Sequence, residues 1–436
     1  MSERELIGLG GLVLLFFILA LRVPVGLAMI GIGIGGNYVL SLFFPFLRFE
    51  PYLQQFKSLF YGIVSNYELS VVPLFVLMGY LASQANLSRD LFQGVNAILG
   101  RFRGGKVALP ELRRLNYSPR LATGTLAAGG TLGILIPPSV ALVIYAVTVE
   151  ASIIQMFQAA IIPGLIAVAF FMGVIAIQVR LNPSLAPIPE PMAPAERREA
   201  LLRLIPVIVI FGSIILGLGA GLFTPTPAAG VGVFAILVYG AYMRLRGKGG
   251  LTFSGLKQSL RDTAVTTSMI FFILLGAEIL KGFFSRANLP AYMAEAAATS
   301  GLDPWLIMVL MLLALIVLGC FMESLSMIVV IIPFFWPALV DINGGDWATA
   351  ATAAYGMGAE DLKIWFGILA LIVVELGLIT PPVGLNVFII NALADGVPMS
   401  QTFRGVMPFF AAEIVRIMLL IFVPVLTLFV PTFLGG

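Results

Sequence analysis

Gly377-Leu-Ile-Thr-Pro-Pro-Val-Gly-Leu-Asn386 lies inside a long apolar run, and its adjacent prolines, Pro381 and Pro382, decide how the chain is read. Two prolines remove two amide donors and disfavour helical geometry in the residue before them. Carbonyls one turn earlier lose their partners, and Gly377 lets the backbone unwind there. Unpaired backbone at membrane depth is tolerated only where it lines a cavity or is buried in protein. The pattern recurs 244 residues earlier, in Gly133-Ile-Leu-Ile-Pro137-Pro138-Ser139.

Composition places both breaks in a membrane. Of 436 residues, 60% are hydrophobic and only 11% are charged, against about 25% charged in soluble domains. Most of the surface therefore faces lipid, which excludes a soluble enzyme, a nucleic-acid-binding module and a disordered chain. There is no histidine, so imidazole metal sites and proton relays are absent. Cys320 is the single cysteine and cannot form an internal disulfide. No glycine-flanked serine elbow or paired acids at fixed helical spacing suggest an enzyme.

A spanning helix takes roughly 20 mainly apolar residues. This predicts an all-α polytopic protein crossing at about 6–21, 23–47, 69–85, 121–148, 156–179, 204–224, 226–243, 263–284, 364–391 and 405–432. The apolar stretch 305–340, interrupted at Gly319 and Glu323-Ser324, reads as a re-entrant hairpin. Basic residues concentrate in 86–120, 180–203 and 244–262, while 341–363 carries Asp341, Asp346, Glu360 and Asp361 against Lys363. Basic loops stay cytoplasmic, so both termini are expected on the periplasmic side. Segments 87–104 and 252–262, apolar with scattered Arg and Lys, are expected to lie flat as arms at the inner surface.

The chain divides into halves. Residues 1–181 form one unit, 182–203 a proline-rich cytoplasmic connector, and 204–436 a second unit containing the hairpin. Val23-Pro24-Val-Gly26 resembles Thr226-Pro227-Ala-Ala-Gly230, and Asn86-Leu87-Ser88 resembles Asn288-Leu289-Pro290. Leu87 falls inside and Leu289 outside, so the halves read as inverted-topology repeats. Broken helices in matching halves point to a transporter's binding site. Pro24 to Leu87 spans 63 residues and Pro227 to Leu289 spans 62, but Leu87 to Pro137 spans 50 against 92 for Leu289 to Pro381. The first half lacks a counterpart of the hairpin between Gly105 and Lys106.

Free carbonyls and half-helix C-termini suit a hard cation, and a half-helix N-terminus suits a carboxylate. The candidate substrate or sodium site is therefore Gly133, Pro137, Pro138, Ser139, Gly319, Glu323, Ser324, Gly377, Thr380, Pro381, Pro382, Gly384 and Asn386. The alternative at either break is a structural kink. Glu375 poses the same question as Glu323, because a central carboxylate usually faces a partner or water. Glu278 with Lys281 and Glu413 with Arg416 have local-pair spacing. Phe334, Phe335 and Trp336 read as lipid-facing or interfacial packing, and Thr123-Gly-Thr125 as a close helix interface.

At these residues the sequence resembles the large membrane subunit of TRAP (tripartite ATP-independent periplasmic) transporters. The likeness covers nearly the whole chain. Gly377-Leu-Ile-Thr-Pro-Pro-Val-Gly-Leu-Asn386, Leu132-Gly-Ile-Leu-Ile-Pro-Pro-Ser139, Gly100-Arg-Phe-Arg-Gly-Gly105 and Gly319-Cys-Phe-Met-Glu-Ser324 carry it. The resemblance implies an elevator-type secondary transporter in a bacterial inner membrane, coupled to sodium, with no cofactor. It also implies a small four-helix membrane subunit and a periplasmic binding protein that delivers an organic acid, often a carboxylate. The family has a first hairpin after Gly104-Gly105, whereas this chain passes directly to Lys106. Fold and subunit identity carry over; active transport does not follow. The alternatives are a sodium/dicarboxylate or other anion symporter without a binding protein, and a non-transporting membrane scaffold.

Overall fold

The computed structural model describes the chain except for residues 22, 100–116, 187–192, 248, 395 and 435–436. The Gly100–Gly105 motif and the Gly105–Lys106 junction lie outside the described residues. Among those described, the structure is helical and contains no strand. In chain order the helices are α1 (Glu3–Ala20), α2 (Val25–Phe43), α3 (Phe49–Val64), α4 (Val71–Gln84), α5 (Leu87–Leu99), α6 (Pro119–Leu135) and α7 (Val140–Thr148). They continue as α8 (Ile153–Leu181), α9 (Pro194–Gly219), α10 (Pro225–Leu245), α11 (Phe253–Arg286) and α12 (Leu289–Ala298). The last six are α13 (Pro304–Gly319), α14 (Ser324–Asn343), α15 (Ala359–Gly377), α16 (Leu385–Leu393), α17 (Met399–Phe422) and α18 (Val425–Leu434).

Seven of these helices are long and apolar enough to cross a membrane, or nine spans counting two bent pairs, among the described residues. The bent pairs are α3 with α4, at 57°, and α6 with α7, at 49°. This is a multi-pass membrane protein.

Two packing groups emerge. In one, α2 lies along α11, α4 touches α10 and α11, and α9 packs on α5 and α10. In the other, α6 packs on α17, α13 on α15, and α8 on α17 and α18. The groups meet where α14 touches α11, α8 touches α9 and α7 touches α4. The α6–α17 seam depends on glycine: a Cβ at Gly124 would sit 2.4 Å from the Gly405 backbone carbon. Thr123-Gly-Thr125 is thus the close interface its small residues suggest.

Residues 304–343 double back as expected. Asn343 Nδ2 donates to the Met357 carbonyl at 3.0 Å, and the Tyr355 amide donates to Asn343 Oδ1 at 3.1 Å. Tyr355 Oη then donates to the Pro304 carbonyl at 3.0 Å. The start and end of the hairpin are therefore tied at one level, with the tip at residues 320–323.

Several sequence expectations need correction. Helix α3 was not foreseen: its glutamines and Lys57 make it too polar to read as a span. Tyr52 anchors it, donating to the Ile279 carbonyl at 2.7 Å. Residues 253–262 are the first turns of α11 and not a separate arm, because Thr252 caps that helix through the Gly255 amide and no proline interrupts it. The connector ends earlier than position 203. Pro194 takes the first helical position of α9, where its missing amide costs nothing, and Glu196 sits in the first turn. The predicted crossing 405–432 is split at Val423-Pro424 into α17 and α18. Phe334 and Phe335 are buried, and Phe334 meets Phe284 edge-on at 4.8 Å. Lipid does not cover them.

Candidate functional site

The first break lies between α6 and α7. Ser139 caps α7, accepting from the Leu142 amide at 3.4 Å, while its hydroxyl donates to the Ile134 carbonyl. That carbonyl is one of those the prolines release, so Ser139 repairs the break locally. At the second break Thr380 donates to the Leu376 carbonyl at 2.6 Å, and the Leu378 carbonyl, which Pro382 leaves free, accepts from the Asn386 amide at 3.0 Å. Gly384 has φ 62°, a left-handed conformation that glycine supplies without steric cost and that turns the chain into α16. Both Pro-Pro bonds are cis.

The hairpin tip seats on the second break. A Cβ built on Gly377 would lie 2.6 Å from Gly319 Cα, so the two backbones touch with no space for a side chain. Cys320 Sγ lies 3.7 Å from the Pro381 carbonyl. The structure thus joins Gly319, Gly377 and Pro381, three of the residues singled out from sequence. Asn386 projects toward α6, its Nδ2 3.7 Å from the position of a Cβ on Gly130. No described hydrogen bond joins Pro137, Pro138 or Ser139 to the second break.

The two glutamates exchange prominence. Glu323, the N-cap residue of α14, is exposed at the tip and makes no side-chain cap. Glu375 is only 3% exposed and lies beside Ser324 and Glu323. Neither of its carboxylate oxygens has a hydrogen-bond partner. Its position six residues before Pro381 was the available signal. Among the described residues, no cluster of three metal-ligating side chains occurs.

One side of this site is open. Pro381 and Pro382 are exposed, as are Gly129, Gly130 and Gly133 on α6. A Cβ on Gly129 or Gly133 would meet no atom within 4 Å.

The spacing expectations for ion pairs divide. Glu413 and Arg416 are paired and buried, and Arg416 Nη1 donates to the Pro163 carbonyl of α8 at 3.1 Å. Glu278 and Lys281 form no ion pair among the described residues. Both line a cavity of about 970 Å³ between the two packing groups. On helix α5, Asp90 is buried near Arg203 (3.7 Å) and Tyr239, whose hydroxyl donates to it at 3.3 Å. Burial pushes the Asp90 carboxyl above its ordinary range, against the opposing effects of Tyr239, Arg203 and Arg89.

The family model described as "Tripartite ATP-independent periplasmic transporter, DctM component" matches residues 12–108 and 105–426. The chain belongs to the DctM family of TRAP permeases. Similar proteins include the C4-dicarboxylate TRAP transporter large permease protein DctM of Pseudomonas aeruginosa, 28% identical and covering 93% of this chain and 94% of its own. The sialic acid TRAP transporter large permease protein SiaM of Vibrio cholerae is 28% identical over 86% of this chain and 88% of its own. The C4-dicarboxylate DctM of Vibrio cholerae is 26% identical over 97% of this chain and 98% of its own. That last alignment runs over 471 positions, more than the 436 residues present here, so part of that TRAP permease has no counterpart in this chain. As a TRAP large permease subunit the chain is a transporter component and not an enzyme.

Proposed function

We propose that this chain is the large permease of a sodium-coupled secondary transporter that imports an organic acid, a carboxylate, received from a periplasmic binding protein. A small four-helix membrane subunit completes the assembly in the bacterial inner membrane. The observation that carries the reading is the hairpin tip seated on an unwound, proline-broken helix, which supplies carbonyls and a half-helix N-terminus at one place. Arg180, Arg197, Arg203, Arg244, Lys257 and Arg261 lie at the ends of α8 to α11 that face one side, supporting a cytoplasmic assignment for that side. Both termini then lie in the periplasm.

We further infer that this chain holds one of two gates. The family match divides at 105–108, where the repeat spacing is short. The open glycine face of α6 and the exposed Pro381-Pro382 are the surface a first hairpin would cover. Import then requires that hairpin, while binding of the small subunit does not.

Substrate class is tested by sodium-gradient uptake of a labelled C4-dicarboxylate and labelled sialic acid into proteoliposomes, using a version with a hairpin restored after Gly105. Uptake that needs both binding protein and inward sodium gradient is expected. Uptake without the binding protein would favour a simple anion symporter instead.

A further inference from the structure

Four helices meet at the end of the bundle where α1 begins, and arginine side chains join them. Arg4, in the first turn of α1, donates through Nη2 to the Arg286 carbonyl at the end of α11. Arg286 donates through Nη1 to Asn37 Oδ1 of α2 at 2.9 Å, and through Nη2 to the Arg48 carbonyl at 2.9 Å. Arg48 is the residue before α3, is exposed, and brings a third guanidinium to this end. None of the three forms an ion pair with a carboxylate among the described residues. Glu5 accepts instead from the Ser2 amide and from Asn288, while Glu3 and Glu50 are exposed.

Helix capping accounts for part of this cluster, since Arg4 satisfies one of the orphan carbonyls that end α11. It leaves Arg4 Nε, which is buried and has no partner. A guanidinium keeps its charge at any working pH, offers five N–H donors, and can hold a phosphate with two parallel bonds. Like charges drawn together repel, and an anion between them reverses the sign of that interaction.

The surroundings indicate which anion. The Arg4 guanidinium lies over Phe46, 5.8 Å from the ring centre, and Phe46 is 68% exposed. The Arg286 guanidinium lies over Tyr52 at 5.4 Å, and Phe49 and then Tyr38 continue the aromatic surface. Tyr38 and Phe43 are exposed on α2, a helix long and apolar enough to span the membrane. Exposed aromatic rings at the end of such a helix mark the level of the lipid headgroups. From Arg4 onward, α1 presents Leu6, Gly10, Val13 and Phe17 along an open apolar groove of about 600 Å³. A free anion needs only the arginines, whereas a lipid uses the arginines, the rings and the groove.

We propose that Arg4 and Arg286, with Arg48, bind the phosphate of an anionic phospholipid whose acyl chains follow the groove on α1. The headgroup then ties the starts of α1 and α3 to α2 and the end of α11.

The test uses the purified, delipidated chain in neutral detergent, with phosphatidylglycerol, phosphatidylcholine or inorganic phosphate added. Native mass spectrometry reads lipid bound per chain, and thermal unfolding reads its effect on stability. Phosphatidylglycerol should bind about tenfold more tightly than phosphatidylcholine, and Arg4→Gln should remove that preference with its charge-assisted contact. Phosphatidylglycerol should raise the unfolding midpoint of the wild type but not of Arg4→Gln. Arg4→Lys keeps the charge without the fork and should recover part of both effects. The Arg48 side chain makes no hydrogen bond or ion pair among the described residues, so Arg48→Gln should weaken lipid binding and leave the lipid-free midpoint unchanged. Equal binding of the two lipids, or a preference that survives Arg4→Gln, would overturn the proposal. Equal stabilisation by inorganic phosphate would overturn the lipid assignment in favour of a soluble anion. Displacement of the lipid by the small membrane subunit would overturn it in favour of that subunit's carboxylates.

Discussion

At the scale of single residues, the contact between Gly319 and Gly377 sets the position of the hairpin tip. A methyl group added at Gly377 would meet backbone atoms of Gly319 and the Ile316 carbonyl within 2.9 Å, none of which can swing aside. Gly377→Ala should therefore destabilise by about 1–3 kcal/mol, as overpacking does, and should speed maleimide labelling of the buried Cys320. Gly133→Ala is the contrast, since its methyl meets nothing. It should be neutral or stabilising by up to about 1 kcal/mol through helix propensity; thermal unfolding of both variants checks the pair. Glu413→Gln should cost about 3–5 kcal/mol, because Arg416 would be left buried without its counter-charge. Replacing both residues with apolar ones should restore most of that loss in the same unfolding measurement. Identical i,i+3 spacing did not separate this pair from Glu278 and Lys281. Desolvation forces Glu413 onto Arg416, whereas Glu278 and Lys281 line an open cavity and are not driven together. Spacing is legible in a sequence; the burial that gives it force is not.

At the scale of elements, the proline breaks and the hairpin were legible because their causes are local. Two prolines free carbonyls wherever they occur, and a glycine with a polar pair interrupts an apolar run whatever surrounds it. Helix α3 was not legible, since its mixed composition fits a loop as well as a helix until Tyr52 finds the Ile279 carbonyl. Helix α5 was readable as a short segment mixing apolar and charged residues, but its anchor was not. Asp90 reaches Arg203 and Tyr239, which lie more than a hundred residues along the chain. Burial raises the Asp90 carboxyl, so its protonated form is favoured in the docked state and its ionised form weakens docking. Docking of α5 should therefore strengthen as pH falls through the docked value and weaken as pH rises above it. Hydrogen exchange over residues 87–99, corrected for intrinsic rates, should show greater protection at mildly acid pH than at mildly alkaline pH. Asp90→Asn should flatten that difference. An equal pH response in the variant would assign the effect elsewhere.

At the scale of the molecule, two packing groups meet along α4, α9 and α11 on one side and α7, α8 and α14 on the other. Gln158 Nε2 donating to the Gly219 carbonyl at 2.9 Å is a polar link across that boundary among the described residues. A cavity of about 970 Å³ opens along the same boundary. Such an interface suits one group sliding on the other, as the elevator reading requires. Among the described residues the second group carries a hairpin on one side, and Gly129, Gly130, Gly133, Pro381 and Pro382 are exposed. The most direct test is sodium-driven uptake in proteoliposomes with the small subunit and binding protein present. The chain as it stands is compared with one carrying a family-type hairpin after Gly105. Uptake only in the restored version is the expected result. Equal uptake in both would mean that one gate suffices, contradicting the two-gate account of the site.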